Sequence, residues 1–189
     1  MDKLLYYLKK NPVIAAVRDD RQLHNALNSD AAVIFLLKTS LFKMEENIEL
    51  IKRKGKACAV HFDFIDGLGS NNSAVDYLFN KHEVDGMIST RSQPIKYAVS
   101  KGYCGIQRFF LVDSLSVDTA ISVIESTKPT VVEILPGIMH QVTRDFCNRV
   151  RIPVIAGGMI STLSDVESAL ENGALAISTS NEGLWSRKP

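Results

Sequence analysis

The sequence predicts a parallel (β/α)8 barrel, and three of its features lead there. Eight short β-branched or aliphatic runs recur at nearly even spacing along the 189 residues. Helical patterns, with apolar residues three and four apart, lie between them. The resulting period of roughly 24 residues is that of one strand–helix unit, and strict alternation of strand and helix gives parallel strands joined by crossover helices.

The elements follow in order. A first strand over residues 13–17 leads to a helix at 21–28, a second over 32–37 to a helix at 45–54, and a third over 57–64 to a helix at 74–82. The fourth, 86–90, precedes a helix at 95–101, and the fifth, 105–112, one at 117–126. Strands at 131–135 and 154–156 precede helices at 141–150 and 163–172. The eighth strand, 175–179, is followed only by residues 181–189, so the barrel is minimal and its last helix truncated. Gly55, Gly102 and Gly173 stand where helices should stop, and Asp113, Ser114, Ser116, Thr162 and Ser164 near where they should start. A doubly wound open sheet is the rival, but it calls for a Gly-rich turn after the first strand, where this chain has Arg18-Asp19-Asp20. One barrel domain over residues 1–189 is expected.

Composition narrows the function. Hydrophobic residues make up 46% and charged residues 23%, ordinary for a globular chain, and 22 basic against 21 acidic residues leave a formal charge of +1. No global field draws such a chain to nucleic acid or anionic lipid, so any polyanion site must be local. Three cysteines, Cys58, Cys104 and Cys147, without C-x-x-C spacing argue for a reducing compartment. Residues 1–10 are too often charged for a signal segment and the longest apolar run, 31–37, is too short for a membrane span, so a cytoplasmic, membrane-free protein is expected.

In a barrel, ligands bind where the strands end. Those ends carry Arg18, Lys38, His61, Asp63, Arg91, Arg108 and Glu133, and such charges must pair or meet a ligand. Alternation along the third strand puts His61 and Asp63 on one face. Gly157 and Gly158 after the seventh strand, with Ser178, Thr179 and Ser180 after the eighth, occupy the usual phosphate position of the fold. Glycine admits close backbone approach and the hydroxyls add donors. The histidines lack metal-ligand spacing, so no metal is expected. The densest basic run is Lys52, Arg53, Lys54 and Lys56. It reads either as compensation of a helix dipole or as a polyanion surface opposite the ligand mouth.

Taken together, Pro12-Val13-Ile14-Ala15-Ala16-Val17, His61-Phe62-Asp63, Asp85-Gly86-Met87-Ile88-Ser89-Thr90, Gln107-Arg108-Phe109-Phe110-Leu111-Val112-Asp113-Ser114, Glu133-Ile134-Leu135-Pro136-Gly137, Ala156-Gly157-Gly158 and Ile177-Ser178-Thr179-Ser180 resemble the glycerol-3-phosphate-responsive antiterminators of bacterial glycerol-uptake operons. The resemblance spans nearly the whole chain. It implies a regulator, not an enzyme, that needs no cofactor. With glycerol 3-phosphate bound as effector, it would act on leader mRNA so that transcription passes a terminator. Arg91 departs from the family pattern, which has Lys there, but keeps the cation.

On this reading Gly157, Gly158, Ser178, Thr179 and Ser180 take the phosphate, and Lys38, His61, Asp63, Arg108 and Glu133 take the glycerol and balance charge. RNA falls to Lys52, Arg53, Lys54, Lys56 and Arg91. Self-association is compatible with the sequence. The alternative is a phosphosugar isomerase or epimerase, with Glu133 or Asp63 as base and His61 or Lys38 as electrophile.

Overall fold

The structure, a computed structural model, describes residues 3–186. The chain runs α1 (Lys3–Lys10), β1 (Val13–Val17), α2 (Asp20–Leu27), β2 (Val33–Leu36), β3 (Thr39–Ser40), α3 (Leu41–Arg53), β4 (Ala57–His61), a 3-10 turn (Phe62–Phe64) and β5 (Ile65–Asp66). It continues through α4 (Asn72–Lys81), β6 (Gly86–Ser89), α5 (Ser92–Ser100), β7 (Gly105–Phe110), α6 (Ser114–Thr127), β8 (Val131–Leu135), α7 (His140–Arg149), β9 (Val154–Gly157), α8 (Leu163–Glu171), β10 (Ala176–Thr179) and a final 3-10 turn (Glu182–Leu184). Eight strands close a parallel barrel in the order β1-β10-β9-β8-β7-β6-β4-β2, as the sequence predicts. Closure is made by β1, which pairs β2 through Ala15↔Ile34 and β10 through Ala15↔Thr179.

The strands sort their side chains by parity. Ile14, Val33, Phe35, Ala57, Ala59, Ile88, Ile106, Val131, Ile155 and Ala176 fill the interior, while Ile34, Val60, Met87, Val132 and Ile177 face the helices. Each such aliphatic side chain contributes about 1.5–3 kcal/mol when fully buried. Helix starts are set by side-chain caps. Asp113 and Thr162 each form a capping box, which starts α6 at Ser114 rather than at residue 117. Gly55, Gly102 and Gly173 take positive φ just past α3, α5 and α8, where the sequence places helix stops.

Three features differ from expectation. Helix α1 has no counterpart in the sequence reading; its Leu4 and Leu8, both fully buried, join the interior cluster and plug one end of the barrel. The third strand stops at His61 instead of running to residue 64, because Asp63 is drawn to the loop after β6. The chain then pairs as β5 with β3, a two-stranded insertion beside the mouth. In keeping with the truncated last helix the sequence predicts, the described residues after β10 form one 3-10 turn, closed by buried Trp185, whose Nε1 donates to the Thr179 carbonyl at 2.8 Å. Among the described residues no helix is long and apolar enough to cross a membrane.

Candidate functional site

One step of two residues up β4, β7, β8 and β10 from the apolar interior replaces carbon with polar groups. His61, Arg108, Glu133 and Ser178 form this upper layer, and all four are buried. Glu133, fully buried, accepts from Arg108 Nε at 2.7 Å on one oxygen and from the Ser178 hydroxyl at 2.5 Å on the other. Removing a carboxylate from water is costly unless such partners meet it. Gly157 makes room for them. A Cβ there would lie 2.5 Å from Ser178 Oγ and 2.6 Å from Glu133 Oε1, so any side chain would displace the pair. Gly157 is itself buried, and the room it leaves is taken by Ser178 and Glu133.

Above this layer opens a cavity of about 340 Å³. Arg18, Arg108, Glu133, Gly158, Ser178, Thr179 and Ser180 line it, with Met159, Ser161 and Asn181 at its edge. Gly158 and Met159 both take positive φ, +80° and +62°, and the Gly137 N–H holds this turn by donating to the Gly157 and Gly158 carbonyls. A methionine in that region is strained, a state that persists only where the surroundings enforce it. Thr179 is spent on structure: its hydroxyl donates to the Ile160 carbonyl at 2.7 Å and accepts from Asn181 N–H.

Among the described residues the Ser180 hydroxyl and the Arg18 and Lys38 side chains have no hydrogen-bond or ion-pair partner, and Arg108 spends only its Nε. Lys38 does not reach this cavity. It lines a neighbouring one of about 270 Å³, with Lys43, Asp20 and Asp66, and Arg18 forms part of both walls.

Asp63 and His61 do not share a face, and neither lines the mouth cavity. Asp63 receives the Ser89 hydroxyl at 2.7 Å, the Thr90 N–H and hydroxyl at 2.8 and 2.9 Å, and Arg91 Nε and Nη2 at 3.0 and 2.9 Å. A carboxylate offers about four lone-pair sites. Its acceptor capacity is therefore used in tying the 3-10 turn to the loop after β6, leaving none for a glycerol hydroxyl. Burial alone would raise this carboxyl, but the Thr90, Ser89 and Arg91 donors together hold it below the usual value.

Arg91 is committed to that carboxylate and also lies over the Phe62 ring, at 5.9 Å. His61 packs on Phe64, ring centroids 4.7 Å apart, and neither ring nitrogen has a protein partner. Burial, with the Arg108 guanidinium nearby, pushes the imidazole down to about 4.

The basic run on the far side of the barrel is occupied as well. Lys52 Nζ donates to Asp85 at 2.8 and 3.0 Å, Arg53 pairs with Glu49, Lys54 donates to Asn28 Oδ1, and Lys56 donates to the Ser29 and Ala31 carbonyls. Lys52 and Arg53 are thus ion-paired, while Lys54 and Lys56 bond uncharged acceptors and keep their charge. Asp85, 5% exposed in its side chain, also accepts from Cys58 N–H and lies 3.4 Å from Lys3, so the pair anchors β4 and α1. Lys52→Ala is expected to lower stability by about 1–2 kcal/mol, read from a denaturant midpoint, while leaving any RNA affinity unchanged. A drop in RNA affinity without loss of stability would reinstate this face.

Of the residues expected at the site, Gly158, Arg108, Glu133, Ser178, Thr179 and Ser180 converge on one cavity. Ser161 and Asn181 were not singled out, and nothing local marks them; Arg18 was visible as a charge at a strand end. Among the described residues no group of three or more His, Cys, Asp or Glu side chains is placed to hold a metal ion.

The model of a family described as glycerol-3-phosphate responsive antiterminator matches residues 13–185. The Escherichia coli (strain K12) protein YgcP, described as uncharacterized, is 35% identical over 182 residues, covering 96% of this chain and 95% of its own. The solved glycerol uptake operon antiterminator regulatory protein from Listeria monocytogenes is similar at TM-score 0.87 and 31% identity, over 92% of this chain and 94% of that one. An antiterminator-related protein from Thermotoga maritima gives TM-score 0.82 at 31% identity, over 94% and 99%.

Proposed function

Because the chain belongs to the glycerol-3-phosphate responsive antiterminator family, we propose that it is a cytoplasmic regulator that binds glycerol 3-phosphate in the barrel mouth and, so loaded, engages leader mRNA to let transcription pass a terminator. The observation that carries the ligand site is Arg108. Its guanidinium is buried at the cavity floor, with one N–H given to Glu133 and the others uncommitted among the described residues. A guanidinium fork matches phosphate geometry, and Arg18 on the wall adds a second cation without a partner. Glu133 retains lone pairs for a glycerol hydroxyl, Ser180 offers a free hydroxyl, and Gly158 lets the backbone come close. Glu133 is clamped by Arg108 and Ser178, which suits a group that recognises better than one that shuttles protons, and this favours the regulator over an isomerase.

Thermal melting with and without glycerol 3-phosphate tests the site. Ligand at 100 times its Kd should stabilise the wild type by about 2.7 kcal/mol. Gly158→Asp puts a carboxylate into the cavity from a residue at φ +80° whose Cβ would stand 3.2 Å from Leu135 Cδ2. It is expected to remove the ligand-induced shift from its own baseline. A wild type without a shift, or a variant with an equal one, would sink the assignment.

A further inference from the structure

Two exposed aromatic rings flank the β3–β5 insertion. Phe42, 95% exposed, is the second residue of α3 and follows β3 directly, and Phe64, 57% exposed, ends the 3-10 turn that leads into β5. The pairs Thr39↔Ile65 and Ser40↔Asp66 bind the two strands together. A Cβ at Gly67 would meet Leu41 Cβ at 3.6 Å, so the chain leaving β5 packs on the start of α3. Both rings thus stand on one small, tied unit beside the mouth.

Cations accompany them. Lys38, immediately before β3, is exposed and has no partner among the described residues, and the same holds for Arg18 in the adjoining cavity wall. Arg91, over the Phe62 ring, is spent on Asp63 and is not one of these free cations. Another exposed apolar group, Val112, Leu115 and Met139, borders a groove lined by Asp113, Asp118 and Asp145, of which Arg149 pairs only Asp118, so the groove is net acidic. In the basic run, Lys52 and Arg53 are ion-paired with carboxylates, and Lys54 and Lys56 are hydrogen-bonded to uncharged acceptors. The cavity beside the insertion sets Arg18, Lys38 and Lys43 against Asp19, Asp20 and Asp66 and so is balanced where the other groove is acidic.

We propose that the β3–β5 insertion is the RNA-contacting surface, with Phe42 and Phe64 stacking unpaired bases and Lys38 and Arg18 meeting the phosphates. This rests on the regulatory reading above and adds to it the surface and the form of RNA. Rings open to solvent beside free cations take single strands, whose bases can be splayed onto them, whereas a duplex keeps its bases stacked inside. The surface adjoins the candidate ligand cavity by two routes. Phe64 sits on His61, a member of the interior layer that holds Arg108, and Arg18 belongs to the walls of both cavities.

The probe is RNA enriched from a random-sequence pool against the wild-type chain in saturating glycerol 3-phosphate. Phe42→Ala and Phe64→Ala are each expected to weaken its binding about tenfold, and Phe42→Tyr to preserve it. Lys38→Ala should reduce the slope of log affinity against log salt by about 0.7. All four should keep the wild-type melting shift with glycerol 3-phosphate, which shows that they fold and bind ligand. Wild-type RNA affinity in the Phe42→Ala/Phe64→Ala double variant would overturn the surface while leaving the regulatory reading intact. Enrichment of no RNA at all would overturn both. If the double variant binds the RNA normally but fails to pass a terminator in a transcription reaction, the rings dock a protein and the RNA proposal falls.

Discussion

Glu133→Ala is expected to cost on the order of 3–5 kcal/mol of stability, more than the other single changes considered, and to abolish the melting response to glycerol 3-phosphate. The carboxylate is fully buried and holds Arg108 Nε at 2.7 Å and the Ser178 hydroxyl at 2.5 Å. Its loss strands a guanidinium that is 9% exposed in the side chain and leaves the serine donor without its acceptor. Breaking one side of a buried pair is worse than deleting both, because the remaining charge still bears its desolvation cost. Adding Arg108→Met to Glu133→Ala should therefore recover much of the stability without recovering ligand binding. Denaturant midpoints for the two singles and the double, with melting shifts beside them, measure this. A Glu133→Ala midpoint within about 1 kcal/mol of wild type would show that the pair does not hold the upper layer together.

The barrel was legible because its cause is local. Period-two alternation in runs such as Val131 to Leu135 places Val131 and Glu133 inward and Val132 and Ile134 outward, and both sets land as parity requires. The polar upper layer follows from the same counting, so Arg108, Glu133 and Ser178 could be placed near one another before any contact was seen. What escaped depends on partners distant in sequence. Asp63 ends β4 early by binding groups 26 to 28 residues further on, and no pattern around it announces that.

Lys52 is paired by an aspartate 33 residues away, whereas Lys54 and Lys56 meet only uncharged acceptors and keep their charge. Gly157 lacks a side chain, and the room this leaves goes to Glu133 and Ser178. Helix α1 carries its signal, Leu4 and Leu8 one turn apart with Lys9 and Lys10 after them, but a single short amphipathic turn does not reveal that it plugs a barrel.

Acidification is the second strong test, and its sign follows from His61. In the unfolded chain the imidazole titrates near 6.5; in the fold, burial and the Arg108 charge push it down to about 4, against the smaller opposing pull of Asp63, with Arg91 adding to the depression. Between those values the unfolded state holds the extra proton, so stability is fully present above about pH 6.5, falls as pH drops, and stops changing on this account below about pH 4. A separation of that size corresponds to a loss on the order of 3 kcal/mol. His82 is also lowered by burial and acts in the same direction from 6.5 downward, while Asp63, held below its usual value, acts only at lower pH.

His61→Leu isolates the first contribution. It keeps an apolar group of similar size against Phe64 and removes two ring nitrogens that have no protein partner. The difference in unfolding free energy across pH 7 to 4 should therefore move in the variant's favour as pH falls, the variant's profile being distinctly flatter. Parallel profiles would mean that His61 accepts its proton in the folded state, and the dry, cationic surroundings assigned to it beneath the mouth would be wrong.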